Sequence, residues 1–467
     1  MTILNESGVP DALSPLYGVG SLCERLPYAL VAVAGTRAEA HLIQTLSELG
    51  PGAPRLPEGS RGVQEPVYLV LDPASNTPGV EQGQLATRVI GAASSLASSG
   101  TGLVLLLVSR SARLLGVDAD FEARLAGRRL GVPVLTVDLA PEEDGAGGSP
   151  PLSTELEDRA LAALVGLCPG EEQALEEASS QEKRGGLFGG RRRGRQPIRE
   201  GEAPPRQSRH RRSATLMSLQ AAPGRGGRSL RELSADMERA GVPLNGSVPA
   251  PTVEELPVLG EGSIIAPMDP YLTLSAEAAA ARGAEVVETM LPIGVDGTAR
   301  FIQDIAEATG AEIGAGETSR ARSVWERLGG LRGRIRGKRF FLTGDTGIEI
   351  PLARFLADAG AVVTEVGTPR LDRRFLAAEL QSLTGRGVDV VESPEWSTQL
   401  DRVDAAKPDV VIASPGLYVP LVARGYLCRS SLDFLGAGIH GYEGARRILE
   451  LLVRTMDRAE NLDAVEF

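Results

Sequence analysis

Tyr28-Ala-Leu-Val-Ala-Val-Ala34, then Gly35-Thr36, then Arg37–Leu49: an apolar run, a two-residue turn, and a stretch with apolar residues near every third or fourth position. The first reads as a strand and the last as a helix. The strand is apolar throughout rather than alternating, as a parallel sheet covered on both faces requires. The same unit recurs on either side. Val67–Leu71, Leu103–Val108 and Val132–Val137 are further buried strands, with helices expected over Glu81–Ala97, Asp118–Arg129 and Thr154–Leu167.

Past a break the alternation resumes. A helix at Ser229–Ala240 precedes strand-like Ser263–Ala266, a helix at Ser275–Arg282, strand-like Val286–Leu291, a loop Pro292–Gly297 and a helix Thr298–Thr309. A basic, linker-like helix (Thr318–Arg336) leads to Arg339–Leu342, a turn Thr343–Gly347 and a helix Ile350–Ala359. Strands at Ala361–Val366, Val388–Val391 and Val410–Ala413 follow. Helices at Arg373–Thr384 and Glu395–Ala405 lie between them, and Gly444–Arg458 closes the chain. This pitch predicts an α/β protein of three Rossmann-like doubly wound domains with right-handed crossovers. The 467 residues suit three domains. Their expected bounds are 1–168, 213–320 and 321–467, the last with its C-terminal helix.

The break itself, residues 169–212, has a different composition. Between Lys183 and Arg212 eleven basic residues face only Glu200 and Glu202, a net charge of +9 in a Gly- and Pro-rich setting. Such a segment cannot bury enough apolar surface to offset chain entropy and reads as disordered. It is either a solvated insertion or an arm for an acidic partner, a membrane surface or RNA.

The whole chain carries −12. That argues against binding nucleic acid by phosphate neutralisation, and no sequence-specific nucleic-acid partner is expected. Three cysteines, Cys23, Cys168 and Cys428, make neither a disulfide framework nor a CxxC pair, which points to a reducing cytoplasm. The longest apolar run, Gly102 to Val108, is far below the ~20 residues of a membrane span, and no secretion signal is visible.

Few residues declare chemistry. Gly337-Lys338 is followed by Arg339, without the glycine of a phosphate-binding P-loop, and Gly18-Val19-Gly20 lacks the third glycine of a dinucleotide fingerprint. Of the three histidines, His41 falls in a helix, His210 in the insert, and His440 beside Gly441 near a helix start, where it reads as a structural hydrogen-bonder. No nucleophile–base–orienter set stands out. The turns Thr343–Gly347 and Pro292–Gly297 are either anion cradles or ordinary tight turns.

Several strings together resemble one family. They are Leu291-Pro-Ile-Gly-Val-Asp-Gly-Thr298, Phe340-Phe-Leu-Thr-Gly-Asp345 with Glu349 and Pro351-Leu-Ala-Arg-Phe-Leu356, and Glu365-Val-Gly-Thr-Pro369 with Ala377-Ala-Glu-Leu380. Ala423-Arg-Gly425, Ile439-His-Gly-Tyr442 and Ile448-Leu-Glu-Leu451 continue the series, and Gly35-Thr36-Arg37 and Thr154, Glu157, Asp158 and Leu161-Ala-Ala163 fit in the first domain. In order and spacing the chain is similar to the N subunit of light-independent protochlorophyllide reductase, within the nitrogenase component 1 superfamily. The resemblance implies a heterotetramer with a B-like subunit and a transiently docking homodimeric iron–sulfur L-like ATPase that carries ATP-Mg. It also implies a 4Fe-4S cluster shared with the B subunit, and reduction of the C17–C18 double bond of protochlorophyllide in chlorophyll or bacteriochlorophyll synthesis.

The chain departs from the family at the cluster. Aligning Gly35 puts the family's three cysteine ligands at Ser14, Glu39 and Arg110. Serine or glutamate can offer oxygen to iron, but arginine stays protonated and has no lone pair to give. No metal or cofactor is therefore expected in this chain alone, with Glu39 and Arg110 expected either to fill the site as an ion pair or to be merely solvated. Two functions follow: an N-like reductase subunit that has lost the usual ligands, or a cluster-free, non-catalytic paralogue serving a nitrogenase-like reductase as scaffold, assembly factor or regulator. A tetrapyrrole ligand fits either. An unrelated sugar- or nucleotide-binding Rossmann protein would need glycine and acidic signatures that are missing.

Overall fold

The chain opens on β1 (Thr2–Asn5), an exposed strand that adds to the edge of the last of three parallel sheets. The computed structural model describes residues 2–6, 8, 15–49, 66–71, 82–95, 102–139, 153–171, 212–221, 227–344 and 346–463. The basic insert lies outside these residues from 172 to 211. The first sheet runs β3-β2-β4-β5, with β2 Ala29–Gly35, β3 Val67–Val70, β4 Leu103–Val108 and β5 Val134–Asp138. Every residue of β2 and β4 is buried. The period of two then divides them between two cores. Val31, Val33, Leu103, Leu105 and Leu107 face one; Leu30, Ala32, Ala34, Val104, Leu106 and Val108 face the other. Each such Leu or Val contributes roughly 1.5–3 kcal/mol by leaving water, which is why an unbroken apolar run forms a central strand.

The second sheet runs β7-β6-β8-β9, with β6 Ser213–Met217, β7 Leu244–Val248, β8 Ser263–Pro267 and β9 Glu285–Val286. The third runs β1-β12-β11-β10-β13-β14, with β10 Arg339–Leu342, β11 Val362–Thr368, β12 Asp389–Glu392, β13 Val410–Ala413 and β14 Cys428–Ser430. The strands of all three sheets pair in parallel, and helices cover the sheets, so each lobe is a doubly wound α/β unit. In each the strand order reverses once, between β2 and β4, β6 and β8, and β10 and β13. Those reversals leave crevices at the C-terminal strand ends.

Several elements differ from the sequence reading. Thr2–Asn5 pairs with β12, held there by Arg402, which bridges Glu6 at 2.5 Å and Glu365 at 2.6 Å. The strand expected to reach Leu291 stops at Val286. The helix expected from Thr298 begins at Val295, because Gly294 takes φ 77° and ends the loop early. The basic helix divides into Ala315–Arg327 and Gly329–Ile335. The last helix is longer than expected, Gly441–Asp463.

The lobes share cores. One spans the second and third lobes and the last helix; another joins the first lobe to the second. Arg354 bolts the second lobe to the third from a site with no exposed side-chain surface. Its Nε donates to Glu379 at 2.6 Å, Nη1 to Asp358 at 3.0 Å and Nη2 to the Ile293 carbonyl at 2.5 Å. Glu379 also accepts from the Leu291 amide at 2.9 Å. Gly297 leaves the room: a Cβ there would meet the Arg354 guanidinium and lie 2.6 Å from the Leu291 carbonyl. Among the described residues no helix is long and apolar enough to cross a membrane.

Candidate functional site at the strand-order reversals

The first lobe's crevice holds two of the three positions singled out above. Glu39 stands in the first turn of the helix Arg37–Leu49 that follows β2. Thr36 and Glu39 form a reciprocal capping box. The Glu39 carboxylate accepts from the Thr36 amide at 2.6 Å and hydroxyl at 2.8 Å, while the Glu39 amide donates back to Thr36 Oγ1 at 3.3 Å. The same carboxylate reaches across the reversal to the end of β4. It accepts from Ser109 Oγ at 3.1 Å and Ser111 Oγ at 3.0 Å. Ser109 in turn caps the helix Arg110–Leu114, accepting from the Ala112 amide at 3.1 Å. Gly35 lets the parts close up, since a Cβ there would lie 2.8 Å from Glu39 Oε2 and 3.1 Å from Ser109 Oγ.

Arg110 begins the short helix and its side chain is exposed. The expected Glu39–Arg110 pair therefore gives way to hydroxyl bonds. Both Glu39 oxygens are taken by Thr36, Ser109 and Ser111, because a carboxylate in the first turn of a helix lies nearest to capping donors. Ser14 lies outside the described residues, one position before the helix Pro15–Arg25. On the two helices that leave the corner, Leu42 is 50% exposed and Leu114 is 80% exposed.

The thiols are elsewhere. Cys23 is buried in the helix Pro15–Arg25, Cys168 closes the helix Ser153–Leu167 with its Sγ 3.6 Å from the Leu164 carbonyl, and Cys428 begins β14 in the third lobe. Burial pushes each up to about 12, so none is a ready thiolate. Among the described residues no three His, Cys, Asp or Glu side chains gather as a metal-holding group.

The second reversal carries a buried constellation that sequence reasoning missed. Ser218, just past β6, donates to Asp269 Oδ2 at 2.6 Å, and His440 Nε2 lies 3.0 Å from Asp269 Oδ1. The carboxylate sits between hydroxyl and imidazole, so the ring does not face the hydroxyl as the base of a nucleophilic triad would. His440 is the structural hydrogen-bonder expected of it, and its Nδ1 is buried without a partner among the described residues. At the third reversal the Ser414 amide donates to Thr343 Oγ1 at 2.6 Å, and Glu349 caps its own helix at Thr346 and Gly347, at 2.6 and 3.1 Å. The turn Thr343–Gly347 is thus a capped helix start occupied by its own carboxylate. Asp345 lies outside the described residues. Thr-x-x-Glu at 36–39 and again at 346–349 was the available signal for both caps. Nothing local announces Ser218 and Asp269.

The three doubly wound lobes have known counterparts. A family model described as nitrogenase component 1 type oxidoreductase matches residues 204–457, and the chain belongs to that family. Curated relatives named light-independent protochlorophyllide reductase subunit N extend the match over the whole length. That of Heliobacterium modesticaldum is 30% identical over 465 residues, 98% of this chain and 97% of its own. That of Roseiflexus sp. is 30% identical over 469 residues, 99% and 95%. That of Chloroflexus aurantiacus is 37% identical over 233 residues, 50% of this chain and 52% of its own. A solved structure titled Nitrogenase Cp1 at pH 6.5 shares the fold with TM-score 0.65 at 14% identity, over 97% of this chain and 94% of that one.

Proposed function

We propose that the chain is an N-like subunit of a cytoplasmic, nitrogenase-like reductase of protochlorophyllide or a related tetrapyrrole, and that it contributes its body and docking surface rather than cluster ligands. Support for the assembly comes from relatives that match end to end and are named as a subunit of that reductase. In this reading a B-like partner completes a heterotetramer. An L-like iron–sulfur ATPase docks transiently and delivers electrons at the expense of ATP. Two electrons and two protons then add across the C17–C18 double bond.

The residues of the first-lobe corner do not suit a 4Fe-4S cluster. Clusters of this kind are held by thiolates. Here the position aligned with one ligand is the exposed Arg110, which has no lone pair to give. The position aligned with another is Glu39, whose carboxylate already accepts four hydrogen bonds. The exposed Leu42 and Leu114 on the helices leaving this corner suit protein docking. No electron-transfer step is assigned to this chain.

That same carboxylate favours a second reading, a cluster-free paralogue that serves the reductase as scaffold, assembly factor or regulator without turnover. Anaerobic co-expression with the B-like and L-like proteins separates the two. ATP-dependent loss of protochlorophyllide absorbance supports the reductase subunit, and a stable complex without turnover supports the paralogue. Failure to bind the B-like chain at all contradicts both.

A further inference from the structure

Away from the first-lobe corner, three helices turn toward one cleft of about 490 Å³: Gly227–Arg239, Ala315–Arg327 and Gly441–Asp463. Five arginines line it, Arg228, Arg231, Arg239, Arg320 and Arg327, against three acids. The acids are already engaged. Asp236, with its side chain 7% exposed, holds Arg239 at 2.8 Å and also Arg320. Glu232 takes Arg228 at 2.9 Å and also Arg447, and Glu443 takes Arg446 at 2.8 Å. Arg231 and Arg327 are exposed and enter no ion pair with the described residues.

The floor is built rather than incidental. Arg320 lies over the ring of buried Tyr442, 5.2 Å from its centroid, and its Nε is buried with no hydrogen-bond partner among the described residues. A buried guanidinium donor left without an acceptor is costly, and such a group calls for an explanation. The local field is positive as well. The Arg446 hydrogen bond holds the Glu443 carboxyl below the usual range, with Arg447 and Arg327 adding to it. Burial lowers Arg447, Glu232 and Glu443 oppose it, and Arg228 and Arg446 push it down again.

We propose that this cleft binds a phosphate-bearing small anion. A planar carboxylate satisfies one guanidinium fork. A phosphoryl group carries several charged oxygens in different directions, which suits guanidinium groups converging from three helices. Arg231 and Arg327 supply charge outside the close ion pairs, and Arg320, which also lines the cleft, carries a buried Nε donor without an acceptor among the described residues. The site is independent of the reductase assignment and of the Glu39 corner.

Titration calorimetry of the full chain with pyrophosphate at low ionic strength tests it. Saturable binding is expected, weakening as salt rises because the charges are partly exposed. Replacing both exposed arginines (Arg231→Ala with Arg327→Ala) is expected to weaken it about tenfold or more, as the loss of charge-assisted bonds requires. Succinate, a dianion that presents only planar carboxylates, is expected to bind less tightly than pyrophosphate. No saturable binding, equal affinity in the double variant, or tighter binding of succinate or a polyglutamate peptide each overturns the proposal. Circular dichroism of the double variant checks that its fold is retained.

Discussion

Replacing Glu39 by alanine probes the first-lobe corner directly. The carboxylate accepts from the Thr36 amide at 2.6 Å, the Thr36 hydroxyl at 2.8 Å, Ser109 at 3.1 Å and Ser111 at 3.0 Å. Loss of the helix cap costs about 1 kcal/mol. The two bonds across the reversal cost roughly 0.5 kcal/mol each, at the low end for hydrogen bonds because Glu39 is half-buried. The sum is about 2 kcal/mol of local stability, a factor of about thirty in local opening. A three-lobed chain need not unfold in one step, so amide hydrogen exchange reads the effect better than a global melt. Exchange in residues 36–49 and 109–116, including the Ala40 and Ser109 amides that bond to Thr36 and Ala34, is predicted to quicken by about that factor. Glu39→Gln keeps an acceptor for the Thr36 amide and is predicted to lose less than half as much. Unchanged exchange in Glu39→Ala, or equal effects of the two variants, refutes the view of Glu39 as a structural tie.

Arg354→Met leaves the Glu379 carboxylate, with no exposed side-chain surface, without its cation, while the nearly buried Asp358 keeps Arg386 at 2.6 Å. It is predicted to cost about 3–5 kcal/mol, measured by thermal unfolding. Gly297→Ala forces a Cβ to 2.6 Å from the Leu291 carbonyl and against the same guanidinium. It is predicted to cost about 1–3 kcal/mol, and less than additively with Arg354→Met because the two share a contact. The thiols Cys23, Cys168 and Cys428 are predicted to resist a disulfide reagent at pH 8 in the native chain and to react together in denaturant. Because burial raises each from 9.0 to about 12, the unfolded chain releases these protons first as pH rises. Their contribution to stability is therefore full below pH 9 and is lost toward pH 12, which denaturation across that window checks.

The α/β class was readable because Leu103–Val108 and Tyr28–Ala34 carry no polar residue. Only a strand covered on both faces tolerates that composition. Short or exposed strands carry no such mark. β1 presents four exposed residues and is placed by its pairing with β12, and β14 has three residues. The corner was half legible. Its positions could be located by counting from Gly35, and Thr36-x-x-Glu39 states its own cap. The choice of hydroxyls over Arg110 as partners of Glu39 was not, because it depends on where the β4 end brings Ser109 and Ser111. The Ser218–Asp269–His440 knot joins residues 51 and 171 positions apart, and only the topology brings them together.

If the corner is a hydrogen-bonded tie, this polypeptide holds no cubane there. Iron and acid-labile sulfide assayed in the anaerobically purified complex with its B-like partner, in wild type and in Glu39→Ala, address that most directly. The account predicts iron and sulfide far below one cluster per chain in both, with none lost on removing the Glu39 carboxylate. Stoichiometric cluster iron that disappears with Glu39→Ala would contradict it.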